Sequence, residues 1–417
     1  MLGPGIITGA VDDDPSGIAT YSQTGAQFGF GQLWTALYQL PLVLAVQEAC
    51  ARIGAVTGKG LAAVVKEHYS KKMLAGVVLL VVIANTINIG ADIGAIASAS
   101  QLVFDLPFVF YAIASAIVVV VLEILISYRN YVKFLKVLTI SLLAYPVTAL
   151  IVSEPWGKIF AATVIPHIEF SFTFLFIVVG VFGTTITPYL FFWQTSEEVE
   201  EEIMHHNLDK NGGTPRGVAA FLKKVRIDTT IGMFAAELAQ WFIIITTATV
   251  LFSHGVTNIN TAADAAKALE PLVRSFPNSG QLAKDIFAIG IIGLGLLAVP
   301  VLAGSTAYAI SEAFDWREGL YRKFKKAKGF YGVIIVSTFV GLLMNFVGVN
   351  PIKALVFAAV FNGITAVPLL FIINRINANE SILGKYKGGV LSQTIIWIAF
   401  AIMGLSVLGM CCLFFMR

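Results

Sequence analysis

Charge is scarce in this chain of 417 residues. Asp, Glu, Lys and Arg together make up 13% of it, whereas apolar residues make up 57%. Many apolar segments exceed about 20 residues, the length that spans a bilayer as a helix. The composition therefore predicts an integral membrane protein, with the lipid bilayer as its surroundings. The formal net charge of +3 does not indicate nucleic acid as a partner, because the positive residues lie in loops.

Cysteine is also scarce, and nucleotide-binding and catalytic motifs are missing. Cys50, Cys411 and Cys412 lie in apolar segments, so they predict neither a disulfide framework nor a metal cluster. There is no Walker A motif, which disfavours transport driven by ATP. There is no convincing pair of a nucleophile and a base either. We therefore expect no enzymatic activity, no ATP and no cofactor, and the sequence does not identify a protein partner.

Apolar segments predict an all-α integral membrane fold with eleven transmembrane helices. The polar stretch after the sixth contains 217–226, which could be a short helix on the membrane surface. The predicted spans are about 2–29, 33–55, 73–103, 108–127, 132–152, 172–200, 227–253, 283–312, 330–348, 352–374 and 390–415.

Lysine and arginine predict the orientation of these spans. If the N-terminus is cytoplasmic, the inner loops hold 22 of the 28 basic residues and the outer side holds 6. Cytoplasmic loops carry the excess of Lys and Arg in membrane proteins. We therefore expect a multi-pass protein of the bacterial cytoplasmic membrane, with its N-terminus inside and its C-terminus outside.

The first predicted span is interrupted by Asp12-Asp13-Asp14-Pro15-Ser16-Gly17. An acidic residue at the bilayer centre costs roughly 2.5–3.5 kcal/mol even on the mildest scale. Proline also frees a backbone carbonyl, which is tolerated at membrane depth only where it faces protein or a wet cavity. The stretch predicts an unwound helix whose oxygen atoms face a cation. The alternative is a juxtamembrane loop before a shorter first helix.

A second interruption lies in the sixth span, where Gly183, Thr184, Thr185, Thr187 and Pro188 form a polar patch. Two broken spans, five helices apart, indicate an inverted-repeat transporter with its substrate site near the membrane midplane. The alternative for the second break is a proline kink with threonines bonded to their own helix. We predict one transmembrane domain, 1–417, with repeats at about 1–152 and 172–375 and an additional helix at about 390–415.

The oxygen atoms at the two breaks favour a hard cation. Carboxylate, carbonyl and hydroxyl oxygens suit magnesium, calcium and manganese. Magnesium keeps several of its waters, so it needs a roomy site with one or two carboxylates. Small residues at Gly17, Gly183, Thr184 and Thr187 would leave that room. One aspartate among 12–14 is expected to bind the ion directly or through water.

These motifs resemble those of the NRAMP divalent-metal transporters. Gly3-Pro4-Gly5 followed by Asp14-Pro15-Ser16-Gly17 is similar to Gly-Pro-Gly and Asp-Pro-Gly-Asn in the first helix of that family. The segment 184–189 falls where the family has Ala-x-x-Met-Pro-His, and Asp92-Ile-Gly-Ala95 resembles Asp-Ile-Ala-Glu. The resemblance covers nearly the whole chain. It implies a LeuT-type 5+5 inverted-repeat fold with broken helices 1 and 6 and an ion site between them.

Two altered positions concern the ion. The methionine of the family is Thr187 here, and its asparagine is Gly17. The chain therefore looks like the NRAMP-related magnesium transporters, which carry magnesium and manganese. The resemblance favours Asp14 as the residue that touches the ion. Asp13, Gly17, Thr184 and Thr187 complete the candidate site, and Asp12 is assigned to its surroundings.

Two further altered positions concern coupling to protons. In proton-coupled members the third helix carries a glutamate and the sixth a histidine after the proline. Here those positions are Ala95 and Tyr189, and neither titrates usefully near neutral pH. The resemblance therefore implies that this chain has lost proton coupling.

Other polar residues are candidates for the permeation path. Asn85, Asn88 and Asp92 share one helix face, as a polar wall or an interhelical hydrogen-bond cluster. Asn362-Gly363, with Pro368, predicts a break in the tenth span that could supply a ligand or be a packing kink. Gln194 could line the inner exit or serve packing.

Several acidic residues are assigned to other roles. The acidic run 197–202 is expected to be a solvated helix face, although it could concentrate cations or regulate transport. His205 and His206 are read as loop residues, not as a zinc site. A salt bridge or hydrogen bond that fixes helix packing is the favoured role of the remaining intramembrane acids, which are Glu48, Glu123, Glu237 and Glu312.

Taken as a whole, the sequence predicts a secondary transporter of Mg²⁺ and Mn²⁺ that works by alternating access without proton coupling. The alternatives are a proton-coupled Mn²⁺/Fe²⁺ transporter of the NRAMP type, a sodium-coupled symporter of organic solutes and a cation channel. Three successive aspartates argue against an anionic substrate, because they would repel it.

Overall fold

The described part of the chain is helical and has no β-strand. The computed structural model describes residues 3–125, 139–152, 155–208, 213 and 215–416. Eight of its helices are long and apolar enough to cross a membrane, counting the two halves of the sixth predicted span as one, and Lys328–Met344 is a shorter apolar helix. The prediction of an all-α membrane fold is confirmed.

The helices are numbered in chain order, and short helical turns are left without numbers. They are α1 Pro4–Asp12, α2 Pro15–Phe28, α3 Trp34–Thr57, α4 Leu61–His68, α5 Lys71–Val103, α6 Phe108–Leu125, α7 Ala144–Ile151, α8 Trp156–Val164, α9 Phe172–Thr185, α10 Pro188–Met204, α11 Val218–Val250, α12 Ser279–Ala313, α13 Lys328–Met344, α14 Pro351–Asn377 and α15 Val390–Phe415. The short turns are Thr139–Leu143, Phe252–His254, Ala262–Ala266, Lys267–Leu269, Glu270–Val273, Phe324–Lys326, Glu380–Leu383 and Gly384–Tyr386.

Most predicted spans coincide with helices to within a few residues. The first and sixth are each divided in two, as α1 with α2 and as α9 with α10. The predicted span 132–152 begins outside the described residues, and of it the structure shows only the part from 139 onward. The basic loop residues Arg129, Lys133 and Lys136 also lie outside them. The count of eleven spans and the bounds of the two repeats therefore stay predictions.

Two local predictions were wrong. The segment 217–226 is not a separate surface helix, because α11 begins at Val218 and continues without a break to Val250. Phe221, Leu222 and Val225 bury one face of this extension. The predicted break near Asn362 is also absent, since α14 continues through Pro368 to Asn377. One proline removes only one helical hydrogen bond, so surrounding contacts can hold the helix together.

Glycines allow the central helices to touch backbone to backbone. A Cβ added at Gly9 would lie 2.2 Å from the Gly232 carbonyl oxygen in α11. A Cβ added at Gly183 in α9 would lie 2.1 Å from the Ala359 oxygen and 2.4 Å from the Gly363 nitrogen in α14. Small residues at membrane helix interfaces permit such close approach. These contacts hold both broken helices against continuous ones.

Replacing Gly183 with alanine should separate α9 from α14. The new methyl group would meet backbone atoms, which cannot rotate away as a side chain can. We expect Gly183→Ala to destabilise the protein by about 1–3 kcal/mol, the usual range for overpacking. Thermal unfolding of the purified protein in detergent measures the effect. Gly76→Ala is the control, because nothing lies within 4 Å of a Cβ there; equal stability of the two variants would contradict the packing assignment.

Candidate metal-binding site

The first break lies between α1 and α2 and consists of Asp13 and Asp14. Asp13 has φ −85° and ψ 42°, and Asp14 has φ −60° and ψ 172°, so both leave the helical conformation. Pro15 starts α2 at a position where a missing N–H is tolerated. The three aspartates are only 1%, 3% and 1% exposed. The segment is therefore an interrupted helix inside the protein, and not a loop before a shorter helix.

Asp14 closes the start of α2 as its N-cap. Its Oδ1 accepts hydrogen bonds from the Gly17 N–H at 2.8 Å and the Ser16 hydroxyl at 2.6 Å. Its Oδ2 accepts one from the Tyr189 hydroxyl at 3.1 Å. A carboxylate has about four lone-pair positions, so Asp14 keeps some capacity for an ion. The hydrogen bonds hold its carboxylate in one place.

The second break lies between α9 and α10 and consists of Ile186 and Thr187. Their φ and ψ values are −93° and 72°, and −109° and 140°. Pro188 begins α10, as Pro15 begins α2. The Thr187 side chain does not cap α10, and its hydroxyl oxygen is buried without a hydrogen-bond partner. Thr187 thus leaves one oxygen atom free at the unwound segment.

Two tyrosines join the breaks. The Tyr189 hydroxyl in the first turn of α10 lies 3.1 Å from both the Val11 carbonyl oxygen and Asp14 Oδ2. On the other half, the Tyr21 hydroxyl accepts from Thr184 at 2.8 Å and lies 2.9 Å from the Thr185 hydroxyl. The structure therefore brings the two predicted breaks together. It also places Tyr189, predicted to mark lost proton coupling, on the Asp14 carboxylate.

The two glycines predicted to leave room for an ion have other surroundings. The Gly17 N–H donates to Asp14, and a Cβ added at Gly17 would lie 3.1 Å from the Asp12 carbonyl oxygen. Gly183 faces the backbone of α14. The prediction that Gly183 makes space for an ion is therefore wrong, because a neighbouring helix fills that space.

Several buried oxygen atoms around the breaks lack a hydrogen-bond partner. A buried acceptor without a partner is unfavourable, so each of these oxygens requires a water molecule or a cation. No three carboxylate, imidazole or thiolate groups among the described residues are gathered into a ready metal centre. An ion held here would therefore keep part of its water. The unpartnered oxygens are Asp12 Oδ1, Asp13 Oδ1, Asn88 Oδ1, both carboxylate oxygens of Asp92 and Thr187 Oγ1.

The predicted polar wall on α5 divides into three different roles. Asn85 Nδ2 lies within hydrogen-bond distance of Ser305 and Thr306 on α12, at 2.7 and 3.0 Å, which is an interhelical cluster. Asn88 Nδ2 donates to Asn362 Oδ1 on α14 at 2.8 Å. Asp92 is buried with both oxygens unpartnered. Sequence spacing placed the three on one face but could not separate these roles.

Ala95 and Gln194 lie on opposite sides of the breaks. Ala95 is 3% exposed and lines a small apolar cleft with Pro15 and Ala19 of α2.

On the side where α1 begins, called here the N-terminal side, the Thr8 hydroxyl donates to Gln194 Oε1. Gln194 Nε2 in turn donates to Glu198 at 2.7 Å. Gln194 thus closes α10 onto α1 in this structure.

The acidic run 197–202 is buried, so the prediction of a solvated face was wrong. Glu197, Glu198, Glu200, Glu201 and Glu202 are at most 7% exposed. Neighbouring segments supply partners that a helical pattern does not reveal: Glu200 accepts from the Leu320 N–H at 2.6 Å, and Glu201 pairs with Lys224. Glu201 also contacts His205, four residues further along the chain.

A cavity of about 650 Å³ opens on the side opposite the N-terminal side. It lies between α2, α5, α9 and α14, and Ala91 and Ile177 belong to its lining. On the N-terminal side the chain is closed, because Asp228 of α11 accepts hydrogen bonds from the N–H groups of Gly3 at 2.9 Å and Gly5 at 2.7 Å. The polar side chains that line the cavity are Gln23, Gln27, Thr173, Asn258, Asn260, Asn345 and Lys353.

Solved structures show which fold the chain shares. The manganese transporter of Eremococcus coleocola has a TM-score of 0.78 at 16% identity, over 97% of this chain and 84% of that chain. MhsT in complex with L-phenylalanine has a TM-score of 0.60 at 12% identity, over 97% and 98%. The chain therefore has a LeuT-like fold.

The family follows from the sequence comparisons. The family model described as "Natural resistance-associated macrophage protein-like" matches residues 5–412, and the chain belongs to this Nramp family. A "Divalent metal cation transporter MntH" of Verminephrobacter eiseniae is 26% identical over 408 residues, which cover 96% of this chain and 86% of the relative. The protein of the same description in Listeria welshimeri is 25% identical over 304 residues, 71% of this chain and 64% of the relative. These relatives are transporters, in agreement with the prediction that the chain is not an enzyme.

Proposed function

We propose that this protein transports divalent cations, Mg²⁺ together with Mn²⁺, in the manner of the NRAMP-related magnesium transporters. The observation that supports this proposal most is that the Tyr189 hydroxyl joins the two helix breaks. This hydroxyl lies 3.1 Å from Asp14 Oδ2 and 3.1 Å from the Val11 carbonyl oxygen. Membership of the Nramp family and relatives named as divalent metal cation transporters support the proposal.

The donor atoms at the breaks favour a hard ion. Every candidate ligand there is an oxygen atom, from Asp13, Asp14, Thr184, Thr187 or a freed backbone carbonyl. Sulfur and imidazole ligands, which favour softer metals, are absent from 12–17 and 183–188. Mg²⁺ is held by one or two carboxylates and keeps several waters. The unpartnered oxygens of Asp12 and Asp13 can accept hydrogen bonds from those waters.

The closed and open sides of the structure fit alternating access. The ion enters through the cavity of about 650 Å³ and reaches the breaks between α2 and α9. Release on the N-terminal side requires α1 to leave α10 and α11, which breaks the contact of Thr8 with Gln194 and the contacts of Asp228 with Gly3 and Gly5. We place this side in the cytoplasm, following the distribution of Lys and Arg.

The driving force is the ion gradient and the membrane potential. The family resemblance places the glutamate and histidine of proton-coupled members at positions that are Ala95 and Tyr189 here, and the Tyr189 hydroxyl is engaged with Asp14. A divalent cation gains about 4.6 kcal/mol per 100 mV, because each charge gains about 2.3 kcal/mol. This is enough for accumulation without a cosubstrate.

Other functions on this fold fit the site less well. MhsT, solved with L-phenylalanine, shares the fold at 12% identity. An amino acid carboxylate would, however, meet three buried aspartates here. A proton-coupled Mn²⁺/Fe²⁺ transporter would lack the histidine and glutamate that the family resemblance associates with coupling. A channel would show flux that neither saturates nor is stimulated from the opposite side.

Removing the Asp14 carboxylate should abolish most metal uptake. Asp14→Ala loses the charge at the first break together with the cap of α2, worth about 1 kcal/mol. We expect Mg²⁺ and Mn²⁺ uptake into proteoliposomes to fall at least tenfold. Asp105→Ala, in the exposed turn between α5 and α6, is the control and should transport normally. Unchanged flux in correctly folded Asp14→Ala would overturn the site assignment.

Introducing sulfur at Thr187 should change the ion preference. Thr187→Met places a soft donor at the second break, so uptake of Mn²⁺ and Cd²⁺ should increase relative to Mg²⁺. Competition between these ions in proteoliposomes measures the ratio. Thr187→Val removes the hydroxyl without adding sulfur and should not show this shift. If Met and Val behave alike, Thr187 does not face the ion.

Transport should not move protons with the metal ion. Proteoliposomes that contain a pH-sensitive dye and are given Mg²⁺ should take up the ion without acidifying inside. Collapsing the membrane potential should slow uptake, whereas collapsing a pH gradient should not. Acidification that depends on both Mg²⁺ and the protein would contradict uncoupled transport and favour the proton-coupled alternative.

A further inference from the structure

The continuous helix α11 packs against both halves of the broken first helix, α1 and α2. On the N-terminal side, a Cβ added at Gly9 of α1 would lie 2.2 Å from the Gly232 carbonyl oxygen. Beyond the break, a Cβ added at Gly25 of α2 would lie 2.5 Å from the Ile244 carbonyl oxygen. The two contacts follow the same chain order, so α11 runs in the same direction as α1 and α2. Glu237 lies within this part of α11, at the level of the break.

Glu237 has no partner for its charge. It is 4% exposed, and both of its carboxylate oxygens are buried without a hydrogen bond. No ion pair joins it to a basic residue among the described parts of the chain. Its electrostatic neighbours are Asp12 and Asp13, which are also acidic. Glu237 therefore adds a third acidic group beside the unpartnered oxygens of the first break.

Packing alone does not account for this arrangement. A buried carboxylate is normally paired or hydrogen-bonded, and an intramembrane acid without a partner is unfavourable. Three such groups next to one another repel in a medium of low dielectric constant. A divalent cation beside these groups reduces their mutual repulsion. Asp14, by contrast, has both oxygens engaged by Ser16, Gly17 and Tyr189.

We propose that Glu237 is a determinant of ion binding: it holds the hydrated divalent cation at the break through water, together with Asp12 and Asp13. The inference rests on the proposed function and adds a residue from outside the two broken helices. Contact through water follows from the spacing, because the described acidic groups do not converge to direct-ligand geometry. It matches an ion that keeps part of its hydration shell.

Glu123 provides a matched control within the same chain. It lies in α6, is 7% exposed and has both carboxylate oxygens buried without a partner. It has no acidic neighbour among the groups that influence it. Glu123 and Glu237 therefore share burial and lack of partners, and they differ in that only Glu237 has acidic groups of the break as electrostatic neighbours. A general effect of neutralising a buried glutamate should appear at both positions.

The first experiment compares Glu237→Gln with Glu123→Gln. Mg²⁺ binding to the purified proteins is measured by calorimetry, uptake by proteoliposome flux, and folding by thermal unfolding. We expect Glu237→Gln to weaken Mg²⁺ binding and raise KM at least tenfold without loss of thermal stability. Glu123→Gln should bind Mg²⁺ as the wild type does. Wild-type affinity in Glu237→Gln, or equal losses in both variants, would overturn the inference.

A second measurement uses the unmodified protein, so it does not depend on the folding of a variant. Glu237 lines a groove of about 210 Å³ together with Leu37, Phe234 and Trp241 among others, so an apolar carbodiimide can approach this side chain. We expect Mg²⁺ to slow labelling of Glu237, read by mass spectrometry, at least fivefold relative to choline chloride of equal ionic strength. An unchanged labelling rate would overturn the inference.

The two proposals fail in distinguishable ways. If the wild-type protein shows no saturable Mg²⁺ or Mn²⁺ uptake, the proposed function fails. If the wild type transports Mg²⁺ and Glu237→Gln does so equally well, only the role of Glu237 fails.

Discussion

The hydrogen bond between Tyr189 and Asp14 connects the two irregular points of this protein. Each break exposes backbone groups that lipid cannot satisfy, so a broken membrane helix is stable only against protein or water. Here Tyr189, in the first turn of α10, contacts the Val11 carbonyl oxygen at the end of α1 and the Asp14 carboxylate that caps α2. The two breaks therefore satisfy part of each other's backbone and carboxylate oxygens. They also leave a set of buried oxygens that a cation with its waters can fill.

Close helix contacts keep these breaks in position. Gly9 lies against Gly232 in α11, and Gly183 lies against Ala359 and Gly363 in α14. The continuous helices thus act as supports along which the half-helices lie. The contact of Asp228 with the first N–H groups of α1 is different, because it consists of hydrogen bonds that can be exchanged with water. Close backbone packing and exchangeable hydrogen bonds thus both hold α1 in place in this structure.

Sequence reasoning was accurate where one residue type has a strong local effect. Proline after aspartate predicted the first break, and proline after threonine predicted the second. It failed where the environment decides. Pro368 suggested a break in α14, but the helix continues because packing on neighbours holds it. The acidic run of α10 suggested a solvated surface, but segments distant in sequence bury it. Glu237 was assigned to packing because its level relative to the break is set by α11.

The sequence by itself determined the membrane class, the all-helical fold, the positions of both breaks and the family resemblance. These features depend on composition and on local backbone chemistry, which are present before any helix meets another. Only the tertiary structure decided which oxygens are already engaged, that Gly183 serves packing, and that Glu237 lies beside Asp12 and Asp13. Contacts between helices remote in sequence depend on how whole faces pack, and no local pattern specifies that.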